Sequence, residues 1–385
     1  MPRLLLLTPA ELTRDPRARR AAAAAQALGF GVVGLSGQIS GEGPVPLDDV
    51  VVVRAGRQGR TNEQWKTGAD SGRDSAPVRE LRGAFRLLRL AARTASLVRA
   101  GRTLGRIDVV HANDLDTLPA AYLLARESGS RLVYDAHELY SEFDPDPPRL
   151  ARFVLDTLEQ TLARRADAVV TVSKPIAEEL RRRFGVEPLV VLNAPELDAA
   201  EPPPPSNGPL RAVYQGAFGT GRPLGDLLET LRTAPGTHLT LRVSRSTREL
   251  LERELPDDLA DRVTVEDPVA PAEVVAALRT HDVGLLFDRP LTVNAELSSP
   301  NKLFEYLMAG LAVVAPRLRG LSWIEDEGVG VLAEPENPAA LGAALRRLGE
   351  DRPLLVELRT NARAAAVERY NAEAQRERLD RAWRG

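Results

Sequence analysis

Four consecutive prolines, Pro202–Pro205, separate two stretches of chain that follow the same rhythm. A run of four prolines can neither continue a helix nor occupy a central strand, and it favours a stiff extended spacer. The segment EPPPPSNG over 201–208 therefore reads as a linker. On either side of it, short runs that are apolar throughout alternate with longer amphipathic stretches. Before the prolines, strands are expected over 3–8, 31–35, 50–53, 107–110, 131–134, 168–172 and 189–192. Helices are expected over 18–28, 78–102, 118–126, 150–165 and 176–184, with a polar, glycine-rich loop over 54–74. After the prolines, strands are expected over 211–214, 238–243, 262–265, 283–287, 312–315 and 329–332, and helices over 338–348, 354–369 and 372–383 close the chain. Strands that are apolar on both faces, alternating with helices, call for a parallel sheet covered on both sides. The expected fold is α/β: two Rossmann-like, doubly wound domains facing each other across a cleft, with ligands at the carboxyl ends of the strands.

Composition removes several function classes. At 385 residues the chain has room for two or three domains of roughly 150 residues each. A net charge of -3 gives no support to a nucleic-acid partner. The chain has no cysteine, so disulfides and thiolate metal sites are excluded, which fits a cytoplasmic protein. The apolar run 4–7 is too short for a signal-peptide core. No window approaches the roughly 20 apolar residues that span a bilayer. Almost every cation is arginine. The three lysines, Lys66, Lys174 and Lys302, stand out for that reason.

The most informative segment is SSPNKLFEYLMAGLAVVA over 298–315. Ser299 followed by Pro300 reads as a helix start, a hydroxyl N-cap with proline at the first helical position. Gly310 suits the helix end. Leu303, Phe304, Tyr306, Leu307 and Met308 cover nearly every face, so this short helix should be buried. Lys302 and Glu305 lie within it. Burying a charge costs several kcal/mol unless it is paired. The two could pair with each other at i,i+3. Alternatively, the lysine and the helix N-terminus could hold a pyrophosphate while the glutamate accepts hydrogen bonds from ribose hydroxyls. Chemistry alone leaves both readings open.

PNKLFEYLMAGLAVV resembles the donor-site segment of family 4 retaining glycosyltransferases of the GT-B fold, in which P-x-K-x-x-E-Y-x-A-x-G-x-P-V-V recurs. DVVHANDLDTLPAAYLLARESGSRLVYDAHE (108–138) is similar to their first-domain segment. YQGAFGTGR (214–222) resembles the start of their second domain, and VEDPVAPAEVVAALRTHDVGLL (265–286) their base-binding region. Residues 370–383 resemble the terminal helix that crosses back to the first domain. The resemblance implies an acceptor-binding domain over 1–200, a linker over 201–209, a donor domain over 210–369 and a returning helix over 370–385. It implies that Lys302 and Arg222 hold the donor diphosphate and that Glu305 binds the ribose. Ser299, Pro300 and Asn301 would cradle phosphate, and Gly216 would allow close backbone approach. His111, Asp114, Asp116, His137 and Glu138 become candidates to face the transferred sugar or the acceptor. Three positions depart from the pattern. Leu297 stands where many members carry a glutamate, with Glu296 one residue off register. Asn113 replaces a common histidine, and Thr8-Pro9 replaces a glycine-rich loop.

The implied reaction transfers a sugar from a nucleotide-diphosphate sugar, a co-substrate, to an unidentified glycan, lipid-linked or small-molecule acceptor. Retention of configuration is implied by the resemblance alone. Lys302, Arg222 and the helix N-terminus would stabilise the leaving diphosphate, so no metal and no other cofactor is needed. Asp114 or Asp116 is the favoured base if the protein supplies one. The literal GxGxxG over 29–34 follows a helix and forms a strand, the wrong context for a dinucleotide. In the literal DxD at Asp114-Leu115-Asp116, Asp114 is expected to cap the helix after it. His238 and His281 are read as structural. The helix over 81–102 is amphipathic and strongly basic. A solvated helix is the favoured reading; a patch touching an anionic membrane, or steering an anionic acceptor, is the other. A nucleotide-sugar epimerase and a non-catalytic nucleotide-sugar-binding scaffold are the competing functions, and an NAD-dependent oxidoreductase is weaker.

Overall fold

The apolar runs become strands because each lies between two helical layers, where alternate side chains on both faces leave water. A computed structural model of the chain describes residues 1–9, 12, 15–37, 50–54, 75–142, 148–205 and 207–385; of the expected loop over 54–74, all but Arg54 lies outside the described residues. Two units emerge, and every strand pairing within their sheets is parallel.

The first unit comprises Met1–Leu192, Thr292–Asn294 and Gln375–Gly385. Its strands are β1 (Arg3–Thr8), β2 (Gly31–Ser36), β3 (Val51–Arg54), β4 (Val109–Asn113), β5 (Arg131–Ala136), β6 (Ala168–Thr171) and β7 (Leu189–Val190). They run in the order β3-β2-β1-β4-β5-β6-β7, so the winding direction reverses between β1 and β4. Asp15 starts the first helix, Pro16–Ala27, by accepting from the N–H groups of Arg17 at 2.9 Å and Ala18 at 3.1 Å. Gly29, with φ +81°, supplies the left-handed residue that ends it. One core cluster joins Leu4, Leu6, Val109, Val133 and Val170 of the sheet to this helix and to Leu379, Ala382 and Trp383 of the terminal helix Ala372–Arg384. Trp383 stands edge-on to Phe30, with ring centroids 5.7 Å apart.

The second unit comprises Asn193–Leu291 and Ala295–Ala374. Its strands are β8 (Leu210–Gln215), β9 (Thr237–Arg242), β10 (Val263–Glu266), β11 (Val283–Leu285), β12 (Ala312–Pro316) and β13 (Gly330–Ala333). The order β10-β9-β8-β11-β12-β13 places the reversal between β8 and β11. This unit begins ahead of the proline run, and the prolines are fastened to it. Arg359 Nη2 donates to the Pro203 carbonyl at 2.9 Å, and a Cβ on Gly310 would lie 2.5 Å from Pro202 Cγ.

Gly284 on β11 lets the helix Asn301–Met308 lie close to the sheet. A Cβ there would sit 2.3 Å from two ring carbons of Tyr306. Overpacking of a tight core typically costs about 1–3 kcal/mol. The variant Gly284→Val is expected to lower the urea midpoint with an unchanged m-value, read by equilibrium unfolding.

Candidate functional site

In the second unit the reversal lies between β8 and β11, the place where neighbouring connections leave a sheet in opposite directions and open a crevice. Gln215 is the last residue of β8. Gly216 follows with φ +135°, a region that favours glycine, and a Cβ there would lie 3.1 Å from Lys302 Nζ and 3.2 Å from the Tyr214 hydroxyl. Glycine thus leaves open the space in front of the lysine. Lys302 sits in the first turn of the helix Asn301–Met308. Its Nζ is buried, makes no hydrogen bond, and lies 4.4 Å from the centroid of the Tyr214 ring. Burial outweighs the neighbouring carboxylates of Asp288 and Glu305 and, with Arg222, brings the Lys302 pKa down to about 8. Gln215 Nε2 donates to Glu305 Oε2, and the Gln215 N–H donates to the Tyr306 hydroxyl at 3.3 Å. Arg222 closes a tight turn with Gly219 through reciprocal backbone bonds of 3.1 and 2.9 Å. Its guanidinium lies 3.5 Å from Asp288 Oδ1, while Asp288 Oδ2 is buried without a hydrogen bond.

The expected N-cap differs from the observed one. Pro300 occupies the cap position and no side chain caps the helix. The Ser299 hydroxyl, expected as the cap, instead donates to the Gly320 carbonyl at 2.9 Å, in a buried position. That bond ties the loop before the helix to the next connection. Asn301 is the first helical residue, half-buried. Leu297 is fully buried.

In the first unit, β4 and β5 carry a charged cluster at their carboxyl ends. Asp135 is fully buried and takes a two-pronged ion pair from Arg17, with Nε and Nη2 each 2.9 Å from a carboxylate oxygen. Burial opposes the charge of Asp135, but Arg17, His137 and His111 hold its pKa well below 3.8. His111, also buried, accepts from Trp383 Nε1 at 3.0 Å through Nδ1. Its Nε2 lies 3.4 Å from Asp135 Oδ2, near but off a hydrogen-bond line. Burial is the largest influence on His111 and lowers its pKa. His137 differs: burial disfavours its charge, but Asp114 and Asp135 prevail and raise its pKa well above 6.5. Asp114 Oδ2 lies 3.3 Å from His137 Nδ1, and Asp114 Oδ1 accepts the His137 backbone N–H at 3.3 Å.

Asp114 was expected to cap the following helix. The cap residue is Thr117, whose hydroxyl donates back to the Asn113 carbonyl at 2.7 Å rather than capping the helix, and Asp114 turns to His137 from a left-handed backbone of φ +63°. Aspartate tolerates that conformation better than most residues. Asp116 does not join the cluster. It pairs with Arg93 at 2.6 Å. Glu138 follows His137 in the loop and is half-buried. The sequence reading missed Asp135, Arg17, Gln215, Tyr214 and Asp288. Asp135 had a visible signal, as a lone acid inside the otherwise apolar strand LVYDA. Arg17 had none, because an arginine in the first turn of a helix normally faces water.

Residues 48–194 match the family model Glycosyltransferase Family 4, and residues 226–351 match the model Glycosyl transferases group 1. No curated protein matches the sequence significantly. Among solved structures, sucrose-phosphate synthase from Thermosynechococcus elongatus is similar with a TM-score of 0.76 at 15% identity, covering 100% of this chain and 98% of that one. HepE from Anabaena in complex with UDP gives 0.68 at 15%, with 99% of each chain covered. The lipopolysaccharide outer core galactosyltransferase WaaB gives 0.64 at 15%, again with 99% of each covered. At such identities these structures speak for the fold, which is GT-B.

The raised His137 pKa yields a direct test. Histidine-ring NMR titration should show the His137 imidazolium persisting above the ordinary histidine midpoint, and Asp114→Asn should lower that midpoint. The sign is that of a raised folded pKa: the stability from this charge is complete below the unfolded value and is lost as pH rises through the folded one.

Proposed function

We propose that this chain, a glycosyltransferase of the GT-B fold, binds the diphosphate of a nucleotide-sugar donor with Lys302, Arg222 and the N-terminus of the helix Asn301–Met308, and the donor ribose with Glu305. The observation that carries the reading is the unpartnered, buried ammonium of Lys302 at the reversal between β8 and β11. A buried cation without a hydrogen bond is costly, and a diphosphate is the anion that would relieve it. The uncapped N–H groups of the helix add donors for the same anion.

In this reading the bond between the anomeric carbon and the diphosphate oxygen breaks, and the negative charge that appears on the leaving group meets cations already in place. The acceptor oxygen bonds to the anomeric carbon on the face the leaving group vacates, so configuration is retained. Its proton passes to the leaving phosphate. The transfer requires no divalent metal. Gln215 orients the ribose-binding carboxylate through its bond to Glu305. In the first unit, Asp114 and His137 are the groups offered to the sugar or acceptor. Asp116 is held by Arg93 and is the weaker of the two aspartates.

Thermal shifts with UDP, GDP, ADP and TDP, without metal, test the donor site. UDP comes first because HepE was solved with it. A ligand at 100 times its Kd stabilises by about 2.7 kcal/mol. One nucleoside diphosphate should raise the melting temperature of the wild type, and Lys302→Ala should abolish the shift and lower the transfer rate about a hundredfold to a thousandfold. No shift with any of them overturns the assignment. Incubation with donor alone separates transfer from epimerisation, since only an epimerase converts the sugar without an acceptor.

The Lys302 pKa sets two further signs. Diphosphate affinity should fall as pH rises through about 8, because the ammonium is the binding form. A depressed lysine pKa means that the folded, unliganded state is destabilised below that pH, and that this penalty fades as pH rises from about 8 towards 10.5. Lys302→Met should therefore melt higher than wild type at pH 7 without ligand, by about 1–3 kcal/mol, while losing nucleotide binding.

A further inference from the structure

The helix Ala76–Gly101 is apolar on two opposite sides. Gly83, Leu90 and Leu97, spaced by seven, form its packed face. The close approach there is to Pro148 and Ala151, whose Cβ atoms lie 2.8 and 3.0 Å from where a Cβ on Gly83 would stand. On the far side, Val78, Leu81, Phe85 and Leu88 recur at spacings of three and four and so form one stripe. The adjoining helix Arg149–Ala163 adds Leu150 and Phe153 at its start. Leu81, Phe85, Leu88, Leu150 and Phe153 are 57–68% exposed. Of the thirteen large apolar side chains exposed among the described residues, seven lie on these two helices and on Leu118–Ser128 beside them. A groove of about 690 Å³, walled by Leu87, Val98, Leu123 and Leu158, extends the apolar surface of this outer layer.

The charge on the helix Ala76–Gly101 is strongly positive. Between Ala76 and Gly101 there are six arginines and one acid, Glu80, in a chain of net charge -3. Glu80 accepts the Arg149 backbone N–H at 2.9 Å. Arg82 and Arg89 are exposed along one flank of the apolar stripe with half-buried Arg79 beside them, while Arg86 lies over the Tyr140 ring and Arg93 pairs with Asp116.

We propose that this outer helical face of the first unit docks on an anionic lipid bilayer. The stripe would enter the headgroup boundary while the arginine flank meets lipid phosphates, the arrangement of a helix lying in the interface plane. Arginine suits this role because its planar fork matches phosphate oxygens and its long stem can lie along apolar surface. A second copy of the chain fits less well, since it would set the same cationic flank against itself. No helix among the described residues is long and apolar enough to cross a membrane, so the contact is peripheral.

Co-sedimentation of the full chain with extruded vesicles tests the proposal. The protein should pellet with phosphatidylcholine vesicles containing about 30 mol% phosphatidylglycerol, and stay in the supernatant with phosphatidylcholine alone. Binding at about 50 mM salt should be lost at about 500 mM. Each arginine near the surface contributes about 1 kcal/mol, or about fivefold. The double variant Arg82→Glu/Arg89→Glu should thus partition about twentyfold less or lower, and Leu81→Ser/Phe85→Ser/Leu88→Ser should fail to pellet. These side chains are exposed, and unchanged melting temperature and nucleoside diphosphate binding in the same preparations would show intact folding. Wild type remaining in the supernatant with anionic vesicles at low salt overturns the proposal and points the patch to a protein partner. Equal pelleting of the wild type and both variants also overturns it.

Discussion

Parallel pairing is the constraint on which everything else depends. Because all strands of a sheet run one way, all their carboxyl ends reach one edge, and the connections that carry chemistry gather there. The order of the strands then selects a place along that edge. In each sheet the winding reverses once, between β1 and β4 in the first and between β8 and β11 in the second. His111 and Asp114 belong to β4 and its following loop, and Gln215 ends β8 with Gly216 directly after it. The charged clusters sit where the topology leaves room for them.

The two clusters treat buried charge in opposite ways. In the first unit the carboxylate of Asp135 is matched by the fork of Arg17, and two histidines stand 3.4 Å from its Oδ2. Such a group is a fixed anchor. Its pKa is held low, and the two rings beside it shift in opposite directions: burial lowers the His111 pKa against the pull of Asp135, while Asp114 and Asp135 together raise that of His137. In the second unit Lys302 has a ring beneath it and nearby carboxylates, but no hydrogen bond. A charge that is only half compensated destabilises the empty protein and is satisfied when an anion arrives. The first arrangement holds groups in place; the second prepares a binding site.

Most of the architecture could be read from the chain because it rests on local rules. The strand runs are apolar throughout, Asp15, Ser173, Asn337 and Asp351 cap helices as such residues do, and Gly29, Gly185 and Gly310 take left-handed backbone at helix ends. Lys302 and Glu305 were legible as polar residues inside a helix that is otherwise apolar. The errors have one physical source, competition between local and tertiary partners. Ser299 looks like an N-cap but bonds to Gly320, twenty-one residues away, and Asp114 looks like one but bonds to His137. The Arg17–Asp135 pair spans 118 residues, and no local rule connects its members. The proline run reads as a spacer, yet Arg359 and Gly310 draw it onto the second unit.

Arginine-rich composition makes Lys302, the one lysine with a buried ammonium among the described residues, more telling. An arginine at position 302 would bring a planar fork with five donors and a charge that burial cannot remove. Lysine brings a compact charge that burial can lower to a pKa near 8, within reach of a ligand that restores it. The glycine and the lysine therefore act as one device: the missing side chain at Gly216 holds open the space that the charge at Lys302 makes attractive to an anion. Tyr214, whose ring lies 4.4 Å from the ammonium, stands in β8 two residues before that glycine, so the ring and the gap that face the charge come from the same stretch of chain.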